Sequence, residues 1–101
     1  MSYVDRLARE IQQELPRDLL PAGETDELFR LYALLALLKG TEVSTQDVHD
    51  AWSTWMSARD PNHRSLRPFG ELDPETQRAD EPFLAAIKTV AASRSRTAAT
   101  S

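Results

Sequence analysis

Two histidines, two tryptophans and a few acids carry most of the chemistry this chain could perform. His49 stands beside Asp50, Trp52 and Trp55 follow three residues apart, and His63 lies in a proline-punctuated loop, NHRSLRPFGELD. A zinc site needs three or four convergent ligands. Asp50, Asp60, Glu71 or Asp80 could add oxygens to the histidines, but no HExxH pair or compact ligand doublet is present, so neither a metal nor another cofactor is expected. A hydrolase needs a nucleophile, a base and an orienting group, and none of the eight serines stands in a glycine-flanked elbow. Walker and dinucleotide-fingerprint spacings are also absent. The expectation is a protein that is not an enzyme.

The tryptophans support two readings. Each ring can fill a core while its indole N–H seeks an acceptor. The same ring can wall a pocket in which a histidine and an acid form hydrogen bonds and Arg64 or Arg67 meets an anion. Leu66 and Phe69, with Pro68 between them and Leu72 just beyond, are apolar anchors that could clamp the loop across a helix pair. An anchored loop of this kind would hold His63, Arg64, Arg67 and Glu71 in place for recognition. Composition alone favours the core over the pocket.

The elements that must position these groups are helical. Ser2 and Asp5 can cap a first helix over Tyr3 to Leu15, with Val4, Leu7, Ala8, Ile11 and Leu15 on one stripe. Pro16 ends it, and Leu19 with Leu20, held between prolines, is expected to plug the end of a core. Thr25 is placed to cap a second helix reaching about Lys39, where Gly40 supplies the left-handed residue. That helix is apolar on more than one face, as expected of a central element covered from several sides. A partner-binding stripe would show the same pattern and would make the chain a homodimer or a subunit.

Ser44 and Asp47 form a capping box for a third helix in which Val48, Ala51, Trp52 and Trp55 share a face. Asp73 and Pro74 open a fourth, which Pro82 should kink or restart before Phe83, Leu84, Ile87 and Val90 supply its apolar face. The fold expected is all-α: a small bundle of about four helices with a proline-anchored loop before the last. Residues 1–92 form a single helical domain and 93–101 a flexible tail.

At 101 residues the chain suffices for one modest core. It has no cysteine, hence no disulfide framework, and the longest apolar run, Leu31 to Leu38, is far too short to span a bilayer. A cytoplasmic protein without membrane contact is expected. The net charge is −4, with ten acids against five Lys/Arg in residues 1–50 and six against seven in residues 51–101. Nucleic acid is not an expected partner, because non-specific DNA affinity draws on clustered positive charge.

Three segments resemble the ryanodine-receptor repeat (RyR domain) family. They are Val48-His49-Asp50-Ala51-Trp52, the loop His63-Arg64-Ser65-Leu66-Arg67-Pro68-Phe69, and the helix start Leu72-Asp73-Pro74 with Asp80 beyond it. The resemblance covers residues 43–90, leaves 1–42 as supporting helices, and suggests a short phage or actinobacterial variant. It implies a compact helical module without catalytic activity, peripheral in calcium-release channels and a sensor of nucleotide-like ligands in microbes. On this basis the expected ligand-binding residues are His49, Trp52, His63, Arg67, Phe69 and Asp80. Trp52 and Phe69 would be walls, His49, His63 and Asp80 hydrogen-bonding groups, and Arg67 the partner of a phosphate or carboxylate. The function expected is a non-enzymatic module binding a small anionic or nucleotide-like ligand or a protein partner. The alternative is a structural or assembly protein, of phage type, that self-associates through its leucine-rich second helix.

Overall fold

In a computed structural model, which describes residues 2–21 and 23–100 with side chains through Arg94, the chain is an all-α bundle of four long helices. These are α1 (Tyr3–Glu14), α2 (Asp26–Lys39), α3 (Thr45–Arg59) and α5 (Glu81–Thr100), with a five-residue α4 (Pro74–Arg78) leading into the last. The tail expected to be flexible lies largely outside the described side chains.

Local chemistry explains most of the boundaries. Ser44 accepts from the Asp47 amide at 3.2 Å while the Asp47 carboxylate accepts from the Ser44 amide at 2.9 Å, so two helix-end donors are satisfied reciprocally. The Asp73 carboxylate takes the Thr76 amide at 2.7 Å, and Pro74 occupies the first helical position, where a missing amide costs nothing. Gly40 closes α2 at φ 58°, a conformation that a residue with a Cβ adopts poorly. Pro82 falls in the first turn of α5, so it restarts the helix instead of breaking one.

Two expectations are corrected here. Thr25 stands at the N-cap position of α2 but makes no side-chain cap bond: its ψ of 12° departs from the extended backbone that aims a capping oxygen at the first-turn amides. Leu19 and Leu20 do not plug the core. Leu19 ends a single 3-10 turn, Arg17–Leu19, and Leu20 follows it in extended backbone, with 39% and 40% of their surface exposed.

Helix α2 is central and touches α1, α3 and α5. Its Leu28, Phe29, Tyr32, Ala33 and Ala36 are buried with Ile11 of α1, Val48 of α3 and Ile87 of α5 in one cluster. Each large side chain fully buried there contributes roughly 1.5–3 kcal/mol. Tyr32 is held edge-on by Phe29 at 5.5 Å and tilted against Phe83 of α5 at 5.8 Å. Leu34 and Leu38 remain outside the core. Among the described residues, no helix is long and apolar enough to cross a membrane.

Candidate functional site

The loop between α3 and α4 folds first on itself. Asp60 accepts from the Asn62 amide through its side chain and from the His63 amide through its carbonyl, and His63 Nδ1 accepts from the Ser65 amide at 3.0 Å. Two side chains then tie the loop to the bundle. His49 Nε2 lies 2.7 Å from the Arg67 carbonyl oxygen, and Gln77 Nε2 donates to the Phe69 carbonyl at 2.9 Å. The Leu66 and Phe69 anchors are half-buried, as a loop clamped across helices requires.

His49 is the hub. It is 3% exposed and one helical turn from Trp52, whose ring stacks on it at 5.6 Å and 23°. Phe69 tilts against the same imidazole at 6.1 Å, while His63 meets Trp52 edge-on at 5.1 Å. A carbonyl oxygen can only accept, so Nε2 carries a proton; in the neutral imidazole Nδ1 is therefore an acceptor. Nδ1 is 3.9 Å from Asp80 Oδ2, beyond direct hydrogen-bond reach.

Beside this pair lies a cavity of about 230 Å³. Trp52, Phe83, Leu28 and Pro21 give it apolar walls, and His49, Asp80, Tyr32, Ser65 and Thr76 give it polar groups, with Ala79 at its edge. Burial pushes the Asp80 carboxyl above the ordinary carboxylate value, and the nearby His49 offsets only part of that rise. Burial, and secondarily the charge of Asp80, push the Tyr32 hydroxyl well above its ordinary value, so it stays protonated.

The six expected site residues separate into two groups. His49, Trp52 and Asp80 line this cavity. His63 and Arg67 line an adjoining polar groove of about 590 Å³ that also holds Arg64, Glu71 and Asp73, and Phe69 packs behind the His49 ring. Arg67 thus reaches the hub through its backbone carbonyl, while its side chain is in the groove. Ser65 and Thr76 border both spaces. Tyr32 and Phe83 complete the lining without being among the expected site residues, because periodicity shows which face is apolar and not where two apolar faces leave a gap.

Ser53, His49 and Asp80 stand in the order of a Ser-His-Asp triad, with Ser53 Oγ 3.3 Å from His49 Nε2. The proton is on the wrong nitrogen. In a triad Nε2 receives the serine proton while Nδ1–H faces the acid; here Nε2–H is committed to a carbonyl. Among the described residues no three His, Asp or Glu side chains converge as a metal site. A larger hollow, about 660 Å³ around Leu31, Leu34 and Trp55, is rimmed by Glu27, Arg30 and Arg59. The buried Trp55 Nε1 lacks a hydrogen-bond partner there, and the Arg59 guanidinium lies over the Trp55 ring at 4.2 Å.

The family described as Domain of unknown function (DUF7701) matches residues 2–92. No curated protein and no solved structure matches the chain. This overturns the ryanodine-receptor resemblance, including the implied phage or actinobacterial RyR variant. The matched residues include α1 and α2 as well as the segment 43–90 that carried the likeness. Its motifs have local explanations: Val48 to Trp52 is a helical turn with one core residue and one stacked pair, and Asp73-Pro74 is a widely used helix start.

Proposed function

The chain belongs to this DUF7701 family, and we propose that it is a non-enzymatic binding module holding a small molecule in the cavity between Trp52, Tyr32, Phe83 and Asp80. The observation that carries the proposal is the combination of apolar walls with a half-buried carboxylate and an imidazole nitrogen too far apart to satisfy each other. Small-ligand sites have this composition: mostly apolar walls and a few placed polar groups. A cavity of about 150 Å³ accommodates benzene, so this one suits a single ring with a short substituent. The orientation of the Nε2 proton supports binding over acyl transfer. The self-association alternative rests on α2, which gives Leu28, Phe29 and Tyr32 to the core and leaves Leu34 and Leu38 for a partner. That is a small fraction of the roughly 800 Å² per partner of a standard interface.

The test is a heteronuclear NMR titration with four one-ring compounds: benzamidine, benzylamine, benzyl alcohol and benzoate. At least one should shift the Trp52 indole and the Ala79 and Phe83 amides saturably. Ala79→Leu, which places a larger apolar side chain at the cavity edge, should suppress those shifts. No saturable shift with any of the four in the wild-type protein would refute the proposal.

A further inference from the structure

We infer that the cavity selects a small organic cation, a protonated amine or amidine carried on a one-ring body, over a neutral or anionic guest of the same size. This rests on the binding reading above and names its ligand class.

The polar lining accepts more than it donates. Asp80 contributes a carboxylate, 17% exposed, and His49, with a proton on Nε2 facing the Arg67 carbonyl, offers the lone pair of Nδ1 in its neutral form. The 3.9 Å between Nδ1 and Oδ2 exceeds a hydrogen bond, yet one donor atom can lie about 2.9 Å from both. An ammonium or amidinium nitrogen meets this requirement and carries further N–H groups for the hydroxyls of Ser65 and Thr76.

Charge points the same way. Among the described residues no Lys or Arg lines the cavity. Arg64 and Arg67 belong to the outer groove, where Glu71 and Asp73 accompany them. An anion entering the cavity would meet the Asp80 charge with no Lys or Arg side chain in the lining to pair with. A cation would instead neutralise a carboxylate that burial disfavours, and the faces of Trp52, Tyr32 and Phe83 attract positive charge. The size limit is set by the volume of about 230 Å³.

Calorimetric titration of the wild-type protein and Asp80→Asn with the same four compounds tests this directly. In the wild type, benzamidine and benzylamine should bind about ten- to a hundredfold more tightly than benzyl alcohol or benzoate, the ratio expected of one charge-assisted hydrogen bond. Asp80→Asn removes the charge while keeping the shape of the side chain and should erase that preference. If benzyl alcohol or benzoate binds the wild type as tightly as benzamidine, the cation assignment fails and the binding module stands. The assignment also fails if the preference survives in Asp80→Asn. If none of the four binds the wild type, both fail. The wild-type ratio alone decides the matter should Asp80→Asn not fold.

Discussion

Replacing His49 by phenylalanine isolates the bond that holds the loop on the bundle. The phenyl ring keeps an aromatic partner for Trp52 and Phe69 but cannot donate to the Arg67 carbonyl, now 2.7 Å from Nε2. An acceptor left without its partner in a half-buried place costs about 1–3 kcal/mol. For a domain of this size each kcal/mol corresponds to roughly 4–8 °C in melting temperature. Urea denaturation followed by circular dichroism should therefore show His49→Phe destabilised by about 1–3 kcal/mol. His49→Gln, whose amide nitrogen can occupy the place of Nε2, should recover part of the loss. Arg67→Ala is the control: the accepting atom is backbone, so deleting the exposed guanidinium should change stability by no more than about 0.5 kcal/mol. His49→Phe within about 0.5 kcal/mol of wild type, or Arg67→Ala as damaging as His49→Phe, would refute the reasoning.

Asp80 has a raised folded-state value, so its contribution to stability is present below the ordinary value of 3.8 and is lost as pH rises through the folded value. Asp80→Asn, permanently neutral, should melt higher than wild type at pH 7, and the difference should shrink toward pH 3; a lower melting temperature at pH 7 would contradict the burial argument. Asp47 behaves oppositely. Burial alone would raise it, but hydrogen bonds from Lys39 and Ser44 win and lower it, so its stabilisation is present above 3.8 and fades as pH falls through the folded value. Asp47→Asn should destabilise the protein at pH 7 more than at pH 3 in the same melting assay. Ser53→Ala should leave benzamidine affinity within about twofold, since Ser53 adds only a 3.3 Å contact to a nitrogen already engaged.

The helix starts at Ser44 and Asp73 and the glycine stop at Gly40 were legible because each is a local rule about backbone donors and dihedral angles, readable within four residues. Leu19 and Leu20 misled because apolar character does not say whether a proline-bracketed turn faces inward, and here it lies on the surface. In the site, His49, Trp52 and Asp80 were legible by residue type. The role of Arg67 was not, since its side chain drew the expectation while its carbonyl makes the contact, eighteen residues from the histidine. The cavity itself needs Tyr32, Trp52 and Phe83 from three helices, a coincidence that no periodicity within one helix encodes. Short motifs around a capped helix and a prolyl loop similarly suggested a family to which the chain does not belong.

The most direct measurement of the central claim is a crystal structure of the protein with benzamidine bound. The account predicts the ring between Trp52 and Phe83 with its amidinium within hydrogen-bonding distance of Asp80 Oδ and His49 Nδ1. A closed cavity, with Phe83 against Trp52 and no guest density beside Asp80, would contradict it.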